Sequence, residues 1–357
     1  MAAEDPDLVI FLGDYIYEGS VDPAKAQGLA RRHQTPDPVD LTGYRLRYAA
    51  YHTDPDLQAV HAAAPCLMTW DDHEVENDYA DQWSEHPSTD PAAFLLRRAA
   101  AYRAYWEHMP LRWRSLPKGP NARVYDRFRF GDLAEVSILD GRQYRSMEAC
   151  PRPDWRGGHV VTAECTERDD PRRTMLGFEQ ERWLTDGFRH ASARWNLVAQ
   201  DLLVAAAHQK DAKTGEIGHW TDAWDGYPAC RTRVLKAVAD SRLSNPVFLG
   251  GDIHSFWTTD LKADFDDPSS ATVATEFVGT SITSDGPDYD LFMSTMPMNP
   301  HVKFFDSRVR GYVSCDLRPD RLETAFRTIS DRADPNATVS TLKRFVVESG
   351  RAGATEA

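Results

Sequence analysis

The chain has 357 residues, of which 41% are hydrophobic and 27% charged, as expected for a folded globular protein rather than a disordered one. Its 55 acidic and 41 basic residues give a formal net charge of -14, which disfavours unspecific binding to nucleic acid or to an anionic membrane. No apolar stretch approaches the roughly 18 residues that a membrane span needs, and the first residues do not form a signal peptide.

Short apolar runs that end in acidic or polar residues recur along the chain and predict strands. They occupy residues 8–12, 66–70, 135–139, 195–199 and 247–249. Continuous apolar character is typical of strands covered on both faces, as in a parallel or mixed sheet. Helical patterns lie between them, at residues 91–108, 178–190 and 231–243. The alternation predicts an α/β protein with its ligand site beyond the carboxyl ends of the strands.

The chain beyond residue 255 has a different pattern, in which Ser, Thr, Asp, Gly and Pro separate short β-type runs. These runs occupy residues 274–278, 309–315 and 344–347. They predict a second, largely antiparallel sheet that packs on the first.

The five cysteines include no C-x-x-C pair, which argues against a structural zinc site. Cys150 and Cys165 flank a segment rich in Pro, Arg, Gly and Asp. Either a disulfide that braces a loop or two free thiols fits this spacing.

Acidic side chains follow three of the predicted strands. Asp252 and His254 are two residues apart, so in an extended segment both would point to the same face as a pair of metal ligands. Asp14 follows a glycine, which allows a sharp backbone turn, and either Tyr15 or Tyr17 can join it if the chain bends there.

The third acidic group is the run at residues 71–74, with Asp78 close behind. It fits either an acidic helix N-terminus or a group of ligands held together by a cation. Carboxylates, a phenol and one imidazole without thiolates suit calcium, magnesium, manganese or ferric iron. Two or more such ions can clamp a phosphate and generate hydroxide from water, so we predict a metal-dependent phosphoesterase. Arg142 and Arg231 can bind phosphate bidentately or serve as structural arginines.

Several segments resemble the PhoD-type alkaline phosphatases, a family of secreted bacterial phosphodiesterases and phosphomonoesterases. The matching motifs lie, in the order of the family, at residues 13–18, 70–77, 224–228, 251–257, 276–283 and 299–301. The resemblance implies a calcineurin-like sandwich of two mixed β-sheets flanked by α-helices. It also implies that residues 1–350 form the catalytic domain and residues 351–357 a C-terminal tail.

The resemblance further implies a centre of Fe3+ and Ca2+ ions in which Asp14 is the bridging ligand and Tyr17, rather than Tyr15, binds iron. At position 78 the family usually has Asn, so Asp78 would bind calcium with one more negative charge. The predicted metal ligands are Asp14, Tyr17, Asp71, Asp78, Asp252 and His254. We assign catalysis to Asp72 and His73, and substrate binding to Arg231 and Arg142.

Two expectations concern the whole protein. The family has a signal peptide, a small N-terminal β domain and a strand with a cysteine iron ligand before the segment that matches residue 13, so we expect this chain to be the catalytic core of a longer protein. The family implies export to the cell wall, the periplasm or the medium by the twin-arginine route.

The alternative to an active phosphoesterase is an impaired fragment that binds calcium or phosphate. The expected partner is a phosphate ester, with neither nucleic acid nor membrane.

Overall fold

The computed structural model describes residues 1–20, 31–267 and 269–357. Among these residues the strands are β1 (Val9–Leu12), β2 (Cys66–Thr69), β3 (Asp126–Phe130), β4 (Ala134–Ile138), β5 (Val160–Val161), β6 (Trp195–Ala199), β7 (His208–Lys210), β8 (Ile217–Trp220), β9 (Pro246–Gly250), β10 (Phe256–Lys262), β11 (Thr272–Val278), β12 (Val302–Asp306), β13 (Arg310–Leu317), β14 (Arg321–Ile329), β15 (Val339–Glu348) and β16 (Thr355–Glu356). The helices are α1 (Leu41–Tyr51), α2 (Pro55–Ala63), α3 (Pro91–His108), α4 (Gly177–His190), α5 (Pro228–Ser241) and α6 (Tyr289–Met293).

A seven-stranded mixed sheet forms the centre of the molecule, in the order β12-β10-β11-β9-β6-β4-β3. The four inner strands of this sheet, β4, β6, β9 and β11, run parallel to one another. Antiparallel strands flank them on both sides, β3 next to β4 and β10 next to β11. Successive strand residues point to opposite faces, so Val247 and Phe248 of β9 lie in different hydrophobic clusters. Both faces of this sheet are therefore covered.

Helices α4 and α5 cover one face of the central sheet. Their apolar residues recur at helical spacing, with Leu184 and Phe188 on α4 and Val234 and Val238 on α5. All four lie in one cluster with Phe248 of the sheet. Each such side chain contributes about 1.5–3 kcal/mol when fully buried, so this interface anchors the parallel strands.

A second β layer covers the opposite face. It consists of the antiparallel sheet β13-β14-β15-β16 and the parallel pair β1-β2. Phe326 of β14 stacks on Phe256 of β10 with ring centroids 4.6 Å apart. On the outer side of β1-β2, Trp70 stacks on Tyr102 of α3 at 4.0 Å. The arrangement confirms the predicted sandwich of two mixed sheets flanked by helices.

Residues 274–278 belong to β11 of the central sheet, so the prediction of a second sheet for that run was wrong. Glu276 interrupts its apolar pattern, yet this side chain is buried and accepts hydrogen bonds from the backbone N–H groups of Val204 and Ala205. Within residues 351–357, β16 pairs with β15. No helix within the described residues is long and apolar enough for a membrane span.

Candidate metal centre

The ends of β1 and β2 meet closely, and Gly13 makes this approach feasible. Its φ is +101°, which favours glycine, and a Cβ added there would lie 2.3 Å from the Cβ of Asp71. Glu74 holds the two ends together, because its carboxylate accepts from the backbone N–H groups of Tyr15 at 2.6 Å and Asp71 at 2.7 Å. Asp14 and Asp71 are thus placed side by side.

Four of the predicted metal ligands adopt left-handed backbone conformations. Their φ angles are 51° at Asp14, 51° at Asp78, 62° at Asp252 and 50° at His254. Such conformations cost on the order of 1–3 kcal/mol per non-glycine residue and cluster at functional sites. The expectation that Asp252 and His254 lie in an extended segment was wrong, since β9 ends at Gly250. The left-handed turns bring both side chains to the site instead.

Asp14, Tyr17 and His254 form one set of neighbouring donors. The hydroxyl of Tyr17 donates to Oδ2 of Asp14 at 3.0 Å and lies 2.8 Å from Nε2 of His254. The same Oδ2 is 3.7 Å from Nε2 of His254. Tyr15 points elsewhere, with its hydroxyl 2.8 Å from Nε2 of His61. The geometry therefore favours Tyr17 as the tyrosine of the site.

Two further groups of carboxylates overlap at Asp72. Asp14, Asp72 and His73 each offer a ligand atom within 4.8 Å of one another, and so do Asp71, Asp72 and Asp252. The backbone N–H of Asp78 donates to Oδ2 of Asp72 at 2.6 Å. Two ligand groups that share one carboxylate are suited to a pair of neighbouring cations.

Arg142 lies among these carboxylates, with its side chain fully buried. Its Nε donates to Asp71, its Nη1 to Asp222 at 2.7 Å and its Nη2 to Asp252 at 3.1 Å. A second buried arginine, Arg145, donates to Asp222 at 2.6 Å. Both guanidinium groups are therefore held by carboxylates of the protein.

We define the acidic cluster by its carboxyl groups, which are Asp14, Asp71, Asp72, Asp78, Asp201, Asp222 and Asp252. They outnumber the two guanidinium groups beside them, so mutual repulsion favours protonation of some members or binding of cations.

The pKa values of the cluster express this excess of negative charge. Burial, reinforced by neighbouring carboxylates, raises the pKa of Asp252 to about 7 and that of Asp71 well above its usual value. Burial also opposes the charge on Asp72, but Arg142 and His73 outweigh it and lower the pKa of this carboxyl.

The donor atoms fit hard cations. Oδ1 of Asp14 and Oδ2 of Asp71 are buried and have no hydrogen-bond partner among the described residues. Buried carboxylate oxygens are rarely left without a partner, and an ion is one of the standard explanations. The oxygen-rich set suits calcium or ferric iron more than zinc.

Arg231 lies outside these contacts. Its Nη1 donates to Oδ1 of Asp225 at 2.6 Å and to the carbonyl of Val204 at 3.3 Å, and the guanidinium lies 5.0 Å from the ring centre of Phe265. The structure thus places the two predicted substrate arginines in separate buried polar regions.

Sequence reasoning did not assign four carboxylates that belong to or support the site. Asp201 ends a predicted strand, as Asp14 and Asp252 do, so the same signal was available for it. Asp222 follows β8, which the sequence does not predict, and therefore carried no signal. Glu18 lies 2.6 Å from Nδ1 of His73, and Glu74 clamps the two strand ends.

The segment between Cys150 and Cys165 closes over one side of the cluster. These cysteines form a disulfide with a Cα–Cα distance of 6.0 Å, which decides between the two alternatives that the spacing allows. Within the loop, the backbone N–H of Gly158 donates to Oδ2 of Asp78 at 2.7 Å.

The model of the family described as PhoD-like phosphatase matches residues 1–326. The chain belongs to this family. Alkaline phosphatase D of Bacillus subtilis (strain 168) is 42% identical over an alignment of 357 residues that covers 99% of this chain and 59% of that protein. This PhoD-like phosphatase chain therefore spans less than two thirds of the length of that curated relative.

Two solved structures agree with the fold. A structure of PhoD superposes with a TM-score of 0.88 at 39% identity, covering 100% of this chain and 67% of that one. Purple acid phosphatase PPD1 from yellow lupin seeds gives a TM-score of 0.50 at 11% identity, covering 97% of this chain and 47% of that one. The lupin match supports the metallophosphoesterase-like fold alone.

Proposed function

We propose that this PhoD-like phosphatase hydrolyses phosphate monoesters or diesters with the help of cations bound in the acidic cluster. The observation that carries the proposal is the pair of ligand groups that share Asp72. Bound cations would withdraw charge from the phosphoryl group and activate a water molecule, which is the chemistry that phosphoester hydrolysis needs.

The donor sets differ in a way that suits two kinds of ion. Asp14, Tyr17 and His254 combine a carboxylate, a phenol and an imidazole, and we assign this set to Fe3+. Asp71, Asp72 and Asp252 supply carboxylates only, and we assign them with Asp78 to Ca2+. A ligand atom of Asp14 lies 3.7 Å from Nε2 of His254 in the first set and within 4.8 Å of a carboxylate oxygen of Asp72 in the second, which supports its role as the bridge.

His73 and Asp72 support the chemistry directly. Glu18 holds the imidazole of His73 through Nδ1 at 2.6 Å, which fixes the orientation of the ring beside Asp72. We assign Nε2 of His73 to donate a hydrogen bond to the phosphoryl group, where negative charge develops during hydrolysis. Asp72 accepts from the backbone of both His73 and Asp78, so its position is fixed as well.

We also propose that the protein works in an oxidising compartment outside the cytoplasm. The Cys150–Cys165 disulfide supports this location, since disulfides are rare in reducing compartments. Alkylation of the protein in intact source cells should leave both cysteines unlabelled until a reductant is added. Labelling of both thiols without reduction would contradict the proposal.

Hydrolysis of 4-nitrophenyl phosphate and bis(4-nitrophenyl) phosphate, with and without a chelator, tests the function. We expect EDTA to abolish turnover and added calcium with ferric iron to restore it. Asp72→Asn should lower kcat/KM by about 100-fold or more, because it removes the negative charge of the carboxylate that the two groups share.

Asp186→Asn is the matched control, since this aspartate is exposed on α4 and pairs only with Arg189 among the described residues. It should retain wild-type activity. Turnover that survives both EDTA and Asp72→Asn would overturn the proposed function, and metal binding without any turnover would favour the impaired fragment.

A further inference from the structure

Beside the metal ions, the proposed function calls for a cationic side chain that holds the charged phosphate ester. Neither of the two predicted arginines is free to do this. All three guanidinium nitrogens of Arg142 donate to carboxylates of the protein. Arg231 is 5% exposed and bound to Asp225. A side chain that already neutralises buried carboxylates cannot turn to a substrate without leaving them unpaired.

Arg156 lies on the loop that the Cys150–Cys165 disulfide closes, directly before two glycines that adjoin Asp78 of the acidic cluster. Its backbone N–H donates to the carbonyl of Glu85 at 2.7 Å. Two residues later, Gly158 donates to Oδ2 of Asp78. A Cβ added at Gly157 would lie 2.6 Å from the same oxygen. The chain next to Arg156 is therefore in direct contact with a predicted metal ligand.

The guanidinium of Arg156 has no acidic partner in the part of the chain that the structure describes. Its carbon lies 5.1 Å from the ring centre of Trp83, and Nη1 is buried without a hydrogen-bond acceptor among these residues. A buried charged donor without an acceptor is unfavourable, and a bound anion would supply the missing acceptor. This state contrasts with Arg142 and Arg145, whose carboxylate partners are all internal.

Several contacts keep the loop in place. Arg152 and Trp155 exchange backbone hydrogen bonds at 2.9 and 3.2 Å, and the ring of His159 lies 3.0 Å from the carbonyl of Cys150. Trp155 packs edge-on against His86 at 5.6 Å. Arg156 is thus presented from a braced loop, with the ring of Trp83 beside its guanidinium.

We propose that Arg156 is a substrate-binding residue that donates hydrogen bonds to the phosphoryl oxygens of the ester. This assignment rests on the proposed function and adds a residue that binds the phosphoryl group of the ester.

The test compares Arg156→Gln with Arg152→Gln in the metal-loaded protein. Arg152 is the matched control because it lies on the same loop. Its side chain is 40% exposed and pairs with Asp211 at 3.6 Å. For Arg156→Gln we expect KM for both nitrophenyl esters to rise about 10-fold or more, as for the loss of a charge-assisted hydrogen bond, while kcat changes little. Arg156→Lys should recover part of the loss, because lysine restores the positive charge but not the paired donors of the planar guanidinium.

Titration of inorganic phosphate by calorimetry provides a second measurement that does not need turnover. Its Kd should rise by a similar factor in Arg156→Gln and stay unchanged in Arg152→Gln. Equal metal content in all variants shows that the acidic cluster is intact. Indistinguishable KM and Kd values for the two glutamine variants would overturn the assignment. An inactive wild type that still binds phosphate through Arg156 would instead refute the proposed function alone.

Discussion

Two buried polar regions of the molecule differ in how completely their charges are matched. In the first, Oδ1 of Asp225 accepts from Arg231 at 2.6 Å and Oδ2 accepts from the backbone of Ala207 at 2.7 Å. In the second, the acidic cluster, Oδ1 of Asp14 and Oδ2 of Asp71 have no partner among the described residues. The backbone of the cluster is also strained, whereas no left-handed residue occurs at Asp225 or Arg231.

The contrast separates a buried ion pair that supports the fold from a buried cluster that is ready for a ligand. Buried polar groups of the first kind are satisfied within the protein. Groups that remain unsatisfied, with backbone strain beside them, are a feature of functional sites.

Asp225→Ala should produce the largest change in stability. It leaves the guanidinium of Arg231 buried without its carboxylate, and breaking such a pair costs about 3–5 kcal/mol. Urea unfolding in the presence of EDTA measures this loss in the free energy of unfolding. Asp240→Ala is the control, because its pair with Lys236 is exposed and worth about 0.5 kcal/mol or less. Equal losses for both variants would contradict the comparison.

The contribution of Asp225 should also have a defined pH dependence. Burial works against its charge, but Arg231 and His219 outweigh it and hold the pKa of this carboxyl well below its ordinary value. A depressed pKa stabilises the fold above the unfolded pKa of about 4, and the contribution is lost as the pH falls further. The difference between wild type and Asp225→Asn should therefore hold from pH 8 to about 4 and shrink below that.

Gly13→Ala should have a smaller effect, centred on the acidic cluster. The added Cβ meets Asp71 at 2.3 Å in a backbone conformation with φ +101°, so we expect a loss of about 2 kcal/mol together with a loss of hydrolysis. Gly119→Ala is matched to it, because its φ is +64° but nothing lies within 4 Å of the new Cβ. That variant should lose about 1 kcal/mol and keep its activity. Full activity in Gly13→Ala would show that the close approach of the two strands is dispensable.

Much of the site was predictable because the chain signals strand ends locally. Apolar runs that stop at Asp14, Asp71 and Asp252 identified three of the contributing strands, and α3 begins and ends as its helical pattern predicts. The choice of Tyr17 over Tyr15 needed the family resemblance, and the bend after β1 provides its physical reason.

The rest depended on tertiary contacts that no local pattern encodes. Asp222 enters the acidic cluster from a loop, where a carboxylate looks like any solvated one in sequence. Arg142 and Arg231 pair with internal carboxylates, which lie up to 110 residues away in the sequence, as Asp252 does from Arg142. The run at residues 274–278 was predicted as a strand but assigned to the wrong sheet, because the charge of Glu276 is satisfied only after folding.

The most direct test of the central claim is the metal content of purified wild type and Asp252→Asn, measured by elemental mass spectrometry with calcium and iron available. The acidic cluster, with its shared carboxylate and unpartnered oxygens, predicts two or more ions per wild-type chain, and the proposed function expects iron among them. It also predicts the loss of at least one ion from the variant, with a parallel loss of hydrolysis. A wild type that hydrolyses phosphate esters without bound metal, or a variant with unchanged metal content, would contradict the account.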